Sequence, residues 1–445
     1  MGVVKISEIR EKGRFDASPF VSESASLVRF TKNLASFKIG ELSFIHKVRN
    51  RNSRVYVEDK EKGLMYLSNT DMQRASFDNV SYMSKKFLPY IEEQKLKNGD
   101  IIVSAVGTIG QVALINDLLK DAVISGNILR FTPEKYPGYI FAYMQCKYGQ
   151  ANLINVASGS VQDFITPPKL ADFDIPIVSE QKQEQINDAI INASNLRVES
   201  NIYLREAVSF FDKLQINYRY GASISQSISI KEISGGYKRF DSLYAVVGKK
   251  VKESLFSRGL EFKTLRSQTS GIFMGPRAKR NYVGAGIPFL STSAMQKANP
   301  TKTDKFISLK SSSGFTVEEG WLLTTRSGTL GDTIYTLPCM SGYAVSEDAI
   351  RIVINNDAEL SKEYVYAFLK SEIGRSSLLS GSYGSVIQHL NENYIGDINL
   401  PLLGEKVEST IKEYISKHIS TLNKAIMIEN EAIDLIEKEI ESWQK

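Results

Sequence analysis

Two stretches of this chain set cations among amide and hydroxyl side chains, a mixture suited to phosphates and the edges of bases. The first is His46-Lys47-Val48-Arg49-Asn50-Arg51-Asn52-Ser53-Arg54, with Lys85-Lys86 further on. The second is Gly275-Pro276-Arg277-Ala278-Lys279-Arg280-Asn281-Tyr282, inside a Gly-rich loop with Lys249, Lys250 and Lys252 upstream. Either run alone reads more readily as a solvated basic loop; two of them at comparable places strengthen the nucleic-acid reading, and the chemistry on offer is binding. No GxxxxGK[ST] phosphate loop and no GxSxG nucleophile elbow is present. Gly284-Ala285-Gly286 begins like a dinucleotide fingerprint, but Phe289 stands where the third glycine belongs. Thr166-Pro167-Pro168-Lys169 lacks the flanking Asn or Asp and the aromatic that would hold a base for amino methylation, so it reads as a rigid turn. Asp172, Asp174, Glu180 and Lys182 straddle an expected helix start, where acids are common, and carry no nuclease metal reading. His389, set opposite Asp163 in the repeat described next, reads as a satisfied or solvated histidine.

The basic runs sit in a chain that is written twice. Arg14-Phe15-Asp16 recurs as Arg239-Phe240-Asp241, 225 residues later. Tyr66-Leu67-Ser68 returns as Phe289-Leu290-Ser291 and Gly107-Thr108-Ile109-Gly110 as Gly328-Thr329-Leu330-Gly331, at shifts of 223 and 221. Tyr139, Gly149, Gly159-Ser160-Val161 and Ile175-Pro176-Ile177 are matched 225 later by Tyr364, Gly374, Gly384-Ser385-Val386 and Leu400-Pro401-Leu402. The order is collinear, which marks a tandem duplication. Residues 20–62 and 245–285 show no convincing match, so one backbone plan presents two different surfaces. That suits a molecule reading two different things.

Composition bounds the rest. The 445 residues suggest two or three domains, and 42% apolar with 24% charged residues is ordinary for a globular protein. Fifty-five Lys and Arg against 50 Asp and Glu give +5, mildly basic, so any nucleic-acid footprint must be local. Two distant cysteines, Cys146 and Cys339, exclude a disulfide scaffold or zinc ribbon, and three scattered histidines disfavour a His-based metal centre. Residues 1–8 lack the apolar core of a secretory signal, Ile6 replaces the Ser or Thr that myristoylation wants, and no run of about 18 apolar residues occurs. The expectation is a soluble protein of a reducing cytoplasm.

Each half divides in two. Ile101–Val103, Val112–Ile115, Ile128–Phe131 and Ala349–Ile354 read as strands, and 139–148 and 362–373 as short helices closed by Gly149 and Gly374 as C-caps. A long helix follows each globule. The first opens at Ser179-Glu180 and sets Ile186, Ala189, Ala193, Leu196, Ser200, Tyr203, Ala207, Phe210 and Leu214 at steps of three and four. The second carries Ile415, Ile419, Leu422, Ile426, Glu429, Ile433, Ile436, Ile440 and Trp443. Such a stripe keeps facing a partner helix, and about 35 residues span roughly 50 Å, longer than a small domain is wide. The helices are expected to pair with each other, antiparallel if a pseudo-twofold axis relates the halves.

In this arrangement the chain resembles the specificity subunit of a type I restriction–modification system over nearly its whole length. The carriers are GDIIVSAVGTIGQVALI (99–115), EGWLLTTRSGTLGDTIY (319–335), ASGSVQDFITPPKLADFDIPIVSEQ (157–181) and GSYGSVIQHLNENYIGDINLPLLGEK (381–406). Ala105-Val106 stands where the second half has Arg326-Ser327, and Leu400–Lys406 only approximates the family's proline- and glutamate-rich approach to the helix.

The resemblance implies an α+β fold of two tandem mixed α/β target-recognition domains, 1–178 and 221–403, with spacer helices 179–220 and 404–445 forming an antiparallel coiled coil. It implies a non-catalytic subunit in the cytoplasm of a bacterium or archaeon that binds double-stranded DNA at an asymmetric bipartite target, the half-sites about 10 base pairs apart. Two methyltransferase subunits would carry S-adenosylmethionine and methylate adenine N6, and restriction subunits using ATP and Mg could join them. The expected DNA-binding residues are Lys47, Arg49, Arg51, Asn52, Arg54, Lys85, Lys86, Lys249, Arg277, Lys279, Arg280 and Arg326, with Arg49, Arg51, Asn52, Arg277 and Arg280 placed nearest base edges. The rival readings are a self-contained methyltransferase or nuclease on the same architecture, and a bivalent adaptor for protein or glycan.

Overall fold

The repeat in the sequence is a repeat of sheets in the computed structural model, which describes residues 23–47, 55–77, 80–87, 91–157, 164–214, 243–277, 279–384 and 386–443, with 229, 230, 239 and 241. Arg14-Phe15-Asp16, Gly159-Ser160-Val161 and Asp163 lie outside the described residues. Two compact units result: Met1–Val198 with Lys424–Lys445, and Glu199–Asn423.

In the first unit the apolar runs become buried strands. Ile101–Ser104, buried along its whole length, lies between Val112–Leu114 and Ile128–Phe131, and His46–Lys47 pairs on the outer side of the latter. A second sheet runs Tyr56–Val57, Ser81–Ser84, Gly63–Leu67, Val123–Ile124, its last pair parallel. Ser36–Lys38 and Asp174–Pro176 form an antiparallel ribbon.

The second unit has the same three sheets in the same strand order. One runs Thr269–Met274, Ala349–Ile354, Leu322–Thr325, Thr333–Tyr335. Another runs Tyr282–Val283, Phe306–Ile307, Ile287–Leu290, Ala344–Val345, and the ribbon joins Phe262–Thr264 to Asn399–Pro401. Agreement reaches single atoms: the Tyr139 hydroxyl donates to the Pro176 carbonyl at 2.6 Å, and that of Tyr364 to Pro401 at 2.6 Å. Within the unlike stretches 20–62 and 245–285, the described strands Ser36–Lys38, His46–Lys47 and Tyr56–Val57 take the same sheet places as Phe262–Thr264, Thr269–Met274 and Tyr282–Val283.

Three sequence expectations are corrected. Gly149 and Gly374 are not C-caps. Each predicted short helix is two, Pro137–Gln145 then Lys147–Val156, and Lys362–Lys370 then Glu372–Ser380. Cys146 and Ser371 hold the break in an extended conformation, and their side chains accept the N–H of Gly149 and Gly374. The preceding helix passes so close that a Cβ at Gly149 would lie 1.9 Å from the Tyr143 carbonyl, and at Gly374 1.8 Å from that of Phe368. These glycines answer to close approach.

His389 is matched not with Asp163 but with Phe164. Leu390 N–H donates to the Arg326 carbonyl as Ile165 N–H donates to that of Ala105, which sets the register.

In the first long helix, Glu180–Asp212, the buried stripe is Ile186, Ile190, Ala193, Ser200, Leu204, Ala207 and Phe211, with Arg197 completing the heptad spacing. The steps are four then three, so alternate members fall one residue after Ala189, Leu196, Tyr203 and Phe210. The second helix, Glu405–Ser442, adds buried His418, Ala425 and Ala432 to its expected stripe.

Within each unit the two helices run antiparallel. In the first unit Lys182 pairs with Glu439, and Arg197 lies 2.7 Å from Glu429. In the second, Ser200 bonds His418 at 2.7 Å and Tyr203 meets Tyr414 at 6.5 Å. Among the described residues no helix is long and apolar enough to cross a membrane.

Candidate nucleic-acid interface

Each unit presents an edge strand with the same dipeptide, Tyr56-Val57 and Tyr282-Val283, 226 residues apart. Both tyrosines are 49% exposed and edge-on to an aromatic ring behind them, Tyr66 at 5.9 Å and Phe289 at 5.8 Å. An exposed phenol beside cations can stack and donate a hydrogen bond to a nucleic acid.

The cations around these tyrosines differ. In the first unit the turn Lys60–Lys62 meets the turn Lys85–Phe87, because Lys85 Nζ donates to the Glu61 carbonyl at 2.8 Å. Lys60, Lys62, Lys85 and Lys86 are all exposed there, with Lys60 5.5 Å from the Tyr82 ring centre. In the second unit Arg280 lies 4.8 Å over Phe289, is 3.4 Å from the Tyr282 hydroxyl, and pairs with Glu347. Partial burial works against the charge on Glu347, yet the Arg280 guanidinium holds its carboxyl below the usual range. The loop leading to Arg280 starts from Gly275, where a Cβ would come within 2.9 Å of the buried Arg351 guanidinium. That close approach fixes the base of the loop that carries Arg277 and Lys279, both exposed.

Of the other expected residues, Lys47 is exposed at the end of the strand His46–Lys47. Arg49, Arg51, Asn52 and Arg54 lie outside the described residues. Lys249 is half-buried at the start of the helix Lys249–Phe256, 4.0 Å from Glu253. Arg326 turns inward. Its side chain is 11% exposed, 3.7 Å from Asp348 and 3.4 Å from the Tyr383 hydroxyl, so it braces the protein.

The Gly-Thr-x-Gly turns are braced alike. Gly107, Gly110, Gly328 and Gly331 all have φ between 75° and 86°, the left-handed region that favours glycine. A buried Ser104 or Thr325 hydroxyl closes each turn by donating to the carbonyl of Thr108 or Thr329.

Sequence reasoning did not single out Tyr56, Lys60 or Lys62, and it named Tyr282 only as the end of the second basic run; the repeated Tyr-Val was the available signal. Two other arginines are structural. Arg130 donates to the Lys95 and Glu93 carbonyls, and Arg351 to those of Phe315, Val345, Ser346 and Ala349. Burial pushes Arg351 down to about 10. Among the described residues, no three His, Cys, Asp or Glu side chains gather as a metal set.

Residues 31–202 match the model of the type I restriction modification DNA specificity domain. No curated protein matches the chain. Among solved structures, the S subunit of a type I restriction–modification system from M. genitalium aligns at 13% identity and TM-score 0.34, over 92% of this chain and 95% of that one. The HsdS subunit from Thermoanaerobacter tengcongensis aligns at 12% and 0.28, over 91% and 95%. Domains of the matched family specify DNA sequence and are not the catalysts of their systems. Residues 31–202 thus carry a type I restriction modification DNA specificity domain, and the second unit repeats its sheet plan.

Proposed function

We propose that the chain reads an asymmetric, interrupted DNA target, one half-site per unit, and directs adenine N6 methylation by two copies of a methyltransferase subunit. Residues 1–178 and 221–403 are the reading domains in this account, and 179–220 and 404–445 the helices that set half-site separation. The methyltransferase supplies S-adenosylmethionine, and restriction subunits using ATP and Mg join where the system has them. The observation that carries the reading is one edge strand, Tyr-Val, given twice with different neighbours: lysines on turns in one unit, an arginine-rich loop in the other. Like scaffolds with unlike cations read unlike half-sites. Lys47, Lys85, Lys86 and Lys279 anchor phosphates, while Arg277 and Arg280 approach base edges. Tethering makes the second contact intramolecular, so the full site binds more tightly than either half by orders of magnitude.

The test is a mobility shift on the full target and on targets with one half scrambled. Arg277→Ala with Arg280→Ala should weaken recognition of one half-site only. Equal loss at both halves, or none, overturns the reading.

A further inference from the structure

In the second unit four groups hold the Arg280 guanidinium. It lies 4.8 Å over the Phe289 ring, donates to the Tyr282 and Ser346 hydroxyls at 3.4 Å each, and pairs with Glu347. Stacking sets the plane of the fork, and the carboxylate takes one arm of it. Partial burial works against both charges, yet the pairing holds Arg280 above its ordinary value and Glu347 below its own. Both side chains keep a share of the surface, 27% for Arg280 and 22% for Glu347. The backbone beside Glu347 is anchored. Ser346 N–H donates to the Leu290 carbonyl at 2.9 Å, and the buried Arg351 guanidinium donates to the Val345 and Ser346 carbonyls at 2.6 and 3.0 Å.

The first unit lacks this acid. Ser125 and Ser346 N–H donate to the equivalent Leu67 and Leu290 carbonyls, and the Asn127 and Asp348 carbonyls accept from Ala105 and Arg326 N–H. Gly126 therefore stands in the place of Glu347. The rest of the setting is repeated. Both halves write Arg-x-Tyr-Val, Arg54 to Val57 and Arg280 to Val283, and each tyrosine has an aromatic ring behind it. A carboxylate added to a shared scaffold is a difference that two unlike half-sites require.

An arginine with no acid beside it is drawn to any phosphate, an attraction that carries no sequence information. A fixed carboxylate offsets that attraction and repels the phosphates, while guanidinium donors can still match a patterned edge such as guanine O6 and N7. Penalising the wrong contact raises specificity as surely as improving the right one. We propose that Glu347 is a specificity-determining residue of the second half-site, positioning Arg280 for a base edge and withholding it from phosphates. The inference rests on the base-edge role given to Arg280 above.

The test titrates the full chain, by mobility shift, against a duplex carrying the two-part motif mapped from N6-methyladenine. Companion duplexes have the first half, the second half or both halves scrambled. Glu347→Gln should bind the doubly scrambled duplex more tightly than wild type does. Its slope of log K against log salt there should be steeper by about 0.9, one added phosphate contact. Its discrimination against a scrambled second half should fall at least about fivefold, and against a scrambled first half should stay within twofold. Glu347→Asp keeps the charge, so it should keep the wild-type slope and restore part of the discrimination. In the Arg280→Ala background, Glu347→Gln should change second-half discrimination by less than twofold, because the acid acts through the arginine. Undiminished second-half discrimination in Glu347→Gln, with Arg280→Ala still abolishing it, overturns the role of Glu347 alone. So does an unchanged salt slope, or an equal loss at both halves, which would make the acid a support of the fold. A further loss in the Arg280→Ala background also overturns it, making the carboxylate a base contact of its own. If Arg280→Ala leaves second-half discrimination intact, the base-edge role of Arg280 fails and this inference with it.

Discussion

Acidification should weaken the second unit through one histidine. His418 is buried where the two long helices meet in that unit, with Nδ1 2.9 Å from the Ser200 carbonyl and its ring stacked on Tyr366 at 6.1 Å and 14°. Burial pushes the imidazole down to about 4, against the raising effect of the Ser200 carbonyl and with the lowering effect of Lys370. In the unfolded chain a histidine titrates near about 6.5. Between those values the unfolded state binds more protons, so stability rises with pH and is lost on acidification. Each tenfold difference in proton affinity between the two states is worth about 1.4 kcal/mol. The loss relative to neutral pH is therefore about 2 kcal/mol at pH 5 and about 3 kcal/mol at pH 4.

The assay is urea unfolding of wild type and His418→Ala at pH 7, 6 and 5, following the transition of the second unit. The variant forfeits packing and hydrogen bonds at every pH but has no imidazole to protonate. Its deficit should shrink by about 2 kcal/mol between pH 7 and pH 5. Carboxylates such as Glu347, held low by Arg280, act in both proteins and cancel in the difference. A deficit that stays constant across this range refutes the argument.

Two further outcomes follow from the geometry. If the exposed Lys47 and Lys279 each neutralise one phosphate, Lys47→Ala with Lys279→Ala should reduce the slope of log K against log salt by about 1.8, read from mobility shifts at several salt concentrations. An unchanged slope would remove both residues from the interface. Gly374→Ala places a Cβ 1.8 Å from the Phe368 carbonyl and should cost at least about 3 kcal/mol in denaturant unfolding, whereas a C-cap role would predict a milder loss.

The sequence is most legible where burial imposes a pattern. Ile101–Val103 and Ala349–Ile354 are continuous apolar runs and fold as buried strands, as such runs do. The duplication is visible because turns such as Gly107–Gly110 and Gly328–Gly331 need the same left-handed backbone twice. Tyr56–Val57 and Tyr282–Val283 are two-residue, half-exposed edge strands, too short to show alternation, so the surface that carries the functional reading is the least visible. The helix stripe read from the sequence runs one residue early at alternate positions. Ala189, Leu196, Tyr203 and Phe210 are as apolar as the residues that face inward, and Arg197 is a charge that the stripe tolerates only because Glu429 meets it. Arg326 looks like a DNA contact in one dimension, yet Asp348 and Tyr383, distant in sequence, draw it inward.

The most direct measurement is a map of N6-methyladenine in cells that express this chain with its methyltransferase. The account predicts a two-part motif interrupted by unspecified bases, its halves unrelated by symmetry, and methylation that disappears when this chain is deleted. An uninterrupted or palindromic motif, or methylation that persists without the chain, contradicts it.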